Sequence, residues 1–195
     1  MVLPTKTNGT AISLSNITFS WGPAKSDFQL KINNFQLQRQ ESAILVGPSG
    51  AGKSTLLSLI CGTIQPKEGS VKILDQTTEN KSAAEKDSFR ADHLGIIFQQ
   101  FNLIPYLSAI DNVLLPLHFS RAFIGSPELI IADEPTSSLD EKSQDEFLDQ
   151  LFSQKEITGA TLLMVSHNAR VAERFNRLIK LQDICLTSFS EEKMS

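Results

Sequence analysis

The amino-acid sequence predicts an α/β fold, in which a mainly parallel sheet flanked by helices is joined to an N-terminal antiparallel β part. Short apolar runs that are typical of buried strands recur between residues 42 and 181. Between several of them lie segments with apolar residues at helical spacing. Strands that alternate with helices build a parallel sheet covered on both faces. Residues 10–40 instead alternate between apolar and polar, which indicates antiparallel strands.

The predicted elements follow one another along the chain. The apolar runs that we interpret as strands are Ser42–Val46, Val71–Leu74, Leu94–Phe98, Glu128–Asp133, Thr161–Ser166 and Arg177–Leu181. The predicted helices are Lys53–Cys61, which Gly62 ends, Glu141–Glu156, and a segment from Ser108, a favourable N-cap, to Leu115. The polar stretch Asp75–Asp92 is predicted to be an excursion on the surface.

Size and composition narrow the classes of function. The 195 residues are predicted to form a single domain with its core over residues 42–181. A net charge of −4 is unfavourable for a nucleic-acid surface, so we expect no nucleic-acid partner. Cys61 and Cys185 have no metal-ligand spacing. No apolar run is as long as a membrane-spanning helix, so work at a membrane would require a partner.

A glycine-rich segment after the first buried strand predicts a phosphate-binding loop. Its sequence, GPSGAGKS, fits the P-loop pattern GxxxxGK[ST]. Glycines let backbone N–H groups turn toward phosphate oxygens, and the following helix adds its positive dipole end. We therefore predict an ATP·Mg²⁺ site in which Lys53 reaches the β- and γ-phosphates and Ser54 ligates Mg²⁺. The predicted nucleotide contacts are Gly47, Pro48, Ser49, Gly50, Ala51, Gly52, Lys53, Ser54 and Thr55.

Three further strands end in polar side chains, at the edge where open α/β sheets bind ligands. Asp133 follows LIIA and is predicted to hold Mg²⁺ through water, and Glu134 is predicted to take a proton from attacking water. His167 follows TLLMVS and is predicted to sense the γ-phosphate. Gln99 follows LGIIF, and its amide is predicted to bind both Mg²⁺ and water.

These motifs, in this order, resemble those of the ATP-binding subunit of ABC transporters. GPSGAGKST resembles Walker A, and IIFQQFNLIP resembles the Q-loop, with Gln99 as its glutamine. LIIADEPTSSLD resembles Walker B followed by the D-loop, which ends at Asp140, and VSHN resembles the segment of the switch histidine, His167. Trp21 resembles the aromatic residue that stacks on adenine. Phe19 is the other candidate for that role, and core packing is the alternative for Trp21.

The resemblance also implies partners and a location. The segment HLGIIFQQFNLIPYLSAIDNVLLPL is similar to the ABC subgroup that serves lipoprotein release, macrolide export and related FtsX-like permeases. By this resemblance the chain is an ATPase that dimerises with itself or with another ABC subunit. It would lie at the cytoplasmic face of the membrane, held there by the permease. Glu134 and His167 would be its catalytic residues, and Asp140 would contact nucleotide.

One part of the family pattern is absent from the sequence. No LSGG-like string occurs, and NVLLPLHFS runs directly into RAFIGSPELIIADEP. In relatives a helical subdomain with the LSGGQ signature lies between such phrases, so we interpret the sequence as having an internal deletion near Leu117–Arg121 that removes most of that subdomain. In the family, LSGGQ of one subunit faces the P-loop of the other across ATP. We therefore expect this chain to bind ATP·Mg²⁺ but to hydrolyse it slowly, or not at all, as a homodimer.

Three other interpretations stay open at this point. The chain could be a non-catalytic nucleotide-binding module that pairs with an intact ABC subunit. It could be a P-loop kinase of small metabolites, although the adjacent Asp133 and Glu134 and the later His167 argue against one. It could also be an ABC protein of DNA repair or translation, which the FNLIP and NVLLPL segments and the acidic charge disfavour.

Overall fold

The computed structural model of the protein describes residues 9–21, 28–79, 81–97 and 126–188. Gln99, the helix predicted from Ser108 to Leu115, and the interpreted deletion near Leu117–Arg121 lie outside the described residues.

The described residues form strands and helices that alternate over most of the chain. They are β1 (Thr10–Ser20), β2 (Gln29–Gln38), β3 (Ser42–Val46), α1 (Lys53–Ile60), β4 (Glu68–Ile73), β5 (Gln76–Thr77), α2 (Ala83–His93), β6 (Leu94–Ile97), β7 (Leu129–Asp133), α3 (Glu141–Thr158), β8 (Thr161–Val165), α4 (Ala169–Ala172), β9 (Arg177–Lys180), α5 (Leu181–Ile184) and β10 (Leu186–Ser188). None of the helices in these ranges is long and apolar enough to cross a membrane.

The described strands form two sheets. The parallel sheet has the order β6-β7-β8-β3-β9, and every neighbouring pair in it runs parallel. Helix α1 follows β3, and α3 connects β7 to β8. This arrangement confirms the predicted parallel core flanked by helices. The antiparallel sheet has the order β10-β2-β1-β4-β5.

The antiparallel sheet extends beyond residues 10–40, the range that the sequence predicts for it. It also includes β4, β5 and the late strand β10. The burial pattern of β4 gives the reason, because Val71 and Ile73 are buried while Lys72 between them is exposed. A strand with one buried face fits an antiparallel sheet that has a solvent side better than a parallel sheet buried on both faces.

The side chains of the parallel sheet alternate between two cores. On one face, Ala43 and Leu45 of β3 belong to a core that includes α1 and the antiparallel sheet. On the other face, Ile44 belongs to a core built with Phe147 and Leu151 of α3. Burial on both faces explains why β3, β7 and β8 are almost continuously apolar in sequence. The sheet is thus a rigid base for the loops that follow its strands.

The surface excursion predicted over Asp75–Asp92 contains regular structure that the sequence analysis missed. It includes β5 and most of α2. Helix α2 begins with a capping box, in which the Ser82 hydroxyl accepts from the Glu85 N–H and the Glu85 carboxylate accepts from the Ser82 N–H. Phe89 is its buried residue, so the helix shows little apolar periodicity. The signal in the sequence that could have predicted this helix is the capping pair, Ser82 and Glu85.

Candidate functional site

The predicted phosphate loop joins β3 to α1 and has the geometry of an anion site. Gly50 and Gly52 adopt φ angles of 75° and 101°, which glycine accepts without steric cost. Gly52 is also the N-cap of α1, and no side chain caps the helix there. The first N–H groups of α1 therefore lack intrahelical partners, and the positive end of the helix dipole faces the loop.

Lys53, the first residue of α1, folds back across this loop. Its Nζ donates hydrogen bonds to the carbonyl oxygens of Gly47 and Pro48, each at 2.9 Å. The side chain is buried despite its charge. An ammonium group beside unpaired backbone N–H groups is an arrangement suited to a polyphosphate.

Ser54 and Asp133 bring two oxygen ligands together beside the loop. The Ser54 hydroxyl donates a hydrogen bond to Asp133 Oδ2 at 2.9 Å, which connects the start of α1 to the end of β7. Hydroxyl and carboxylate oxygens suit Mg²⁺, which takes its other ligands from water and phosphate. These residues therefore fit a magnesium ion bound with a nucleotide. Within the described ranges, no cluster of three or more acidic, histidine or cysteine side chains forms a metal site.

The ionised form of the Asp133 carboxyl is disfavoured by its surroundings in the folded chain. Burial raises its pKa above the ordinary value; the Ser54 hydrogen bond opposes this shift, and the charge of Glu134 adds to it. A raised pKa means that the ionised carboxylate is less stable in the folded chain than in the unfolded chain. The cost is present above the folded-state pKa and disappears as the pH falls below the ordinary value.

We expect Asp133→Asn to raise the melting temperature of the nucleotide-free protein at neutral pH, because the amide keeps the Ser54 bond without the charge. The gain should shrink as the pH is lowered through the folded-state pKa of Asp133. Thermal unfolding from pH 7 to pH 4 measures it. The exposed residue Asp183 supplies the matched control, Asp183→Asn. A destabilising effect of Asp133→Asn at pH 7 would contradict the account.

Glu134 and His167 meet at the same edge of the sheet. Strands β7 and β8 are paired up to Asp133 and Val165, and the Glu134 N–H donates to the Val165 carbonyl at 2.9 Å. Beyond this point His167 Nδ1 lies 3.1 Å from Glu134 Oε2. The Glu134 side chain is mostly buried, whereas the His167 ring is exposed. A carboxylate held against an imidazole at a ligand-binding edge has the composition of a general base with a partner.

A cavity of about 420 Å³ lies between the phosphate loop, the carboxylates that end β7, and Trp21, and His167 is not among its lining residues. Trp21 is 49% exposed, and its Nε1 donates to Thr55 Oγ1 at 3.4 Å. Phe19, the other aromatic candidate, is buried and packs edge-to-face against Trp21. Trp21 is therefore the aromatic side chain of this pair that lines the cavity. The complete lining is Trp21, Phe28, Ser49, Gly50, Gly52, Lys53, Ser54, Thr55, Asp133 and Glu134.

Phe28 is a cavity residue that the sequence analysis did not identify. A Cβ atom at Gly52 would lie 2.6 Å from Phe28 Cζ and 3.1 Å from Leu30 Cδ1. The start of the second strand therefore packs directly on the phosphate loop. An apolar residue at the start of a strand carries no particular signal in a sequence, and this contact exists only once the antiparallel sheet lies over α1.

We expect Gly52→Ala to destabilise the protein more than Gly50→Ala. Both glycines have positive φ angles, so each alanine costs about 1–2 kcal/mol in backbone strain. At Gly52 the new methyl group also displaces Phe28 and the fully buried Leu30, which adds at least about 1 kcal/mol. At Gly50 it meets open space. Denaturant unfolding of the two variants measures the difference, and equal losses would count against this packing.

Asp140, predicted to contact nucleotide, lies outside the cavity lining and caps α3. Its Oδ1 accepts a hydrogen bond from the Ser143 N–H at 3.0 Å and its Oδ2 accepts one from the Ser143 hydroxyl at 2.8 Å. These bonds lower the pKa of Asp140. The residue therefore fixes the start of α3, and its contact with nucleotide stays a prediction. Gly47, Pro48 and Ala51 lie in the same loop as the lining residues.

Comparison with known proteins decides the family. Residues 30–120 match the family model described as ABC transporter. The chain is 33% identical to the ABC transporter ATP-binding protein YbbA of Escherichia coli K12, over 74% of this chain and 82% of YbbA. This chain belongs to the family of ABC transporter ATP-binding proteins. Because the chain belongs to this family, we discard the interpretation that it is a P-loop kinase of small metabolites.

Two further similarities bear on the fold and activity of this ABC protein. It is 30% identical to the macrolide export ATP-binding/permease protein MacB of Bdellovibrio bacteriovorus, over 85% of this chain and 31% of MacB. Its fold matches the ATP-binding cassette MJ0796 of Methanocaldococcus jannaschii in a dimeric post-hydrolysis state bound to ADP and Pi, with a TM-score of 0.70, 29% identity, and coverage of 87% and 93% of the two chains. The protein is thus an ATP-binding subunit of the ABC ATPase family, with the cassette fold.

Proposed function

We propose that this ABC subunit binds ATP·Mg²⁺ in the cavity beside Trp21 and couples the binding and hydrolysis of ATP to an FtsX-like permease. Hydrolysis would occur only where another polypeptide segment supplies an LSGGQ loop. The observation that carries the proposal is the composition of that cavity. A P-loop, two carboxylates at the end of β7 and an exposed aromatic ring surround it. The same chain contains no LSGG sequence.

Each part of the cavity suits a different part of the nucleotide. The Trp21 ring is exposed and oriented by its bond to Thr55, which leaves an aromatic face for adenine. The N–H groups at the start of α1, which have no intrahelical partners, bind phosphate oxygens. Lys53 exchanges its two bonds to loop carbonyl oxygens for bonds to the β- and γ-phosphates. The exchange keeps the ammonium group paired in both states.

Ser54 and Asp133 are the proposed protein ligands of the magnesium ion, and Gln99 is a third. The ion would neutralise phosphate charge when it is bound. Ion binding would also favour the ionised form of Asp133, whose pKa burial raises in the free protein. The hydrogen bond between Ser54 and Asp133 keeps both oxygens at the same edge of the loop before the ion arrives.

Glu134 and His167 are the proposed catalytic pair. The Glu134 carboxylate accepts the proton of the water that attacks the γ-phosphate. His167 holds Glu134 through the contact at 3.1 Å and, through its exposed ring, contacts the γ-phosphate. Asp140 is proposed to reach the nucleotide site from the start of α3, and its capping bonds keep that helix end in place.

Two properties of the comparisons support an internal deletion. The match to the ABC transporter model ends at residue 120, next to the predicted junction. The alignment with YbbA is 187 positions long but takes in 74% of these 195 residues, so several dozen of its positions have no counterpart here. A homodimer of this chain would therefore present two P-loops with no signature loop facing either of them.

A second candidate is a subunit that binds nucleotide but leaves hydrolysis to an intact ABC partner. The absence of LSGG from the sequence favours it. The Glu134–His167 contact favours the first proposal, because a purely binding module has no need of a general base. The two candidates differ in whether turnover depends on Glu134 of this chain.

The permease and the location are proposed from likeness alone. MacB, a macrolide export ATP-binding/permease protein, is similar to this chain over 31% of its length. A subunit of this kind would lie at the cytoplasmic face of the membrane against its permease. The net charge of −4 supports a protein partner over a nucleic acid.

Trp21 is the single tryptophan of the chain, so its fluorescence tests the proposed site directly. We expect ATP·Mg²⁺ to quench or shift the emission saturably, because adenine would stack on the exposed ring. The Lys53→Ala variant should lose this response in the same concentration range. A saturable response that is identical in Lys53→Ala would place the nucleotide elsewhere.

A further inference from the structure

Helix α3 carries a buried amide that is bonded at both ends. Gln144 is 6% exposed, although most glutamines lie on protein surfaces. Its Nε2 donates to the Thr136 carbonyl at 3.3 Å, and its Oε1 accepts a hydrogen bond from Asn168 Nδ2 at 3.0 Å. The side chain is not part of the nucleotide cavity. It connects two loops behind that cavity.

The two loops joined by Gln144 carry Glu134 and His167. Thr136 lies two residues after Glu134 and is itself buried. Asn168 directly follows His167 and is fixed by two further bonds. Its N–H donates to the Ser166 hydroxyl at 3.1 Å, and its Oδ1 accepts from the Arg170 N–H at 3.0 Å, at the start of α4.

The sheet alone does not fix how these loops lie relative to each other. The pairing of β7 with β8 ends at Asp133 and Val165, and the Glu134 N–H makes one more bond to Val165. Past that bond, the loops are connected through side chains. Gln144 has a rigid base for this connection, because Phe147 and Leu148 of the same helix are buried in the core.

We propose that Gln144 is a positioning residue that fixes the loops of Glu134 and His167 relative to each other, so that the Glu134 and His167 side chains stay in hydrogen-bond contact. The proposal rests on the catalytic roles proposed above for Glu134 and His167. Gln144 acts through Thr136 and Asn168 and touches neither nucleotide nor water in the reaction.

The test compares histidine ring signals in nucleotide-free protein by NMR, where His167→Gln assigns the His167 signal. In an otherwise wild-type chain, Glu134→Gln should shift that signal, because it changes the group bonded to His167 Nδ1. In Gln144→Met, which lacks both the donor and the acceptor, the His167 signal should already be shifted, and adding Glu134→Gln should change it by less than about half the wild-type amount. The His93 signal, from the end of α2, should stay in place.

Gln150→Met is the matched control, because Gln150 is exposed on the same helix. It should leave the His167 signal and its response to Glu134→Gln as in the wild type.

A second variant, Gln144→Glu, serves if Gln144→Met does not fold. It keeps the acceptor for Asn168 but places a carboxylate against the Thr136 carbonyl, and should shift the His167 signal as well. A wild-type response to Glu134→Gln in a folded Gln144 variant overturns the proposal. The measurement needs no nucleotide, so a failure of ATP binding in the Trp21 experiment would leave it intact.

Discussion

An intact ABC subunit is expected to raise ATP hydrolysis by this chain at least about 100-fold, because removal of a preorganised group that stabilises transition-state charge costs about 100- to 1,000-fold in rate. The intact subunit should carry an alanine in place of its own P-loop lysine, so that the only working P-loop in the mixed dimer is that of Lys53. Its LSGGQ loop then faces the cavity described above. Steady-state phosphate release by each protein alone and by the mixture measures the effect.

The control for this experiment is Glu134→Gln in the present chain. It should return the mixture to the rate of the separate proteins, because the proposed base is lost while the length of the side chain is kept. No stimulation in this mixture, together with hydrolysis that Glu134→Gln leaves unchanged when the partner keeps its own P-loop lysine, would instead support the binding-only candidate. No hydrolysis by either mixture, with a partner shown to associate with this chain, would contradict both candidates.

Lys53→Ala is expected to lower the affinity for ATP·Mg²⁺ by about 10- to 100-fold, because a hydrogen bond to a charged group contributes about 1.5–3 kcal/mol. The folded state should tolerate the change, since the lost bonds end on the carbonyl oxygens of Gly47 and Pro48, at the mouth of the loop. Calorimetric titration with ATP·Mg²⁺ measures the affinity. Lys72→Ala, at an exposed lysine of β4, controls for the loss of positive charge. Equal affinities of the two variants would contradict the proposed role of Lys53.

The phosphate loop was the most predictable part of the molecule. Its prediction depends on neighbouring residues only: an apolar strand, a glycine-rich turn and a helix, and the structure has β3, the loop and α1 in that order. The end of β7 at Asp133 was predictable for the same reason. Largely apolar runs indicated the parallel strands β3, β7 and β8, because each of these is buried on both faces.

Contacts between distant segments were not predictable from these local signals. The contact of Glu134 with His167 depends on β7 and β8 being neighbours, and that of Phe28 with Gly52 depends on how the antiparallel sheet covers α1. Gln144 gave no signal, because a glutamine in a charged helix is ordinarily exposed. Helix α2 was missed because its stability comes from capping more than from an apolar face.

The central claim is that this chain has a complete P-loop site and lacks the loop that should face it. Steady-state ATP hydrolysis by the chain alone, at a concentration where Trp21 fluorescence shows the nucleotide bound, tests this claim most directly. The account predicts Lys53-dependent binding together with turnover at least about 100-fold below that of a form with an LSGGQ-containing lobe inserted at Leu117–Arg121. Repeated turnover by the chain alone that Glu134→Gln abolishes would contradict it.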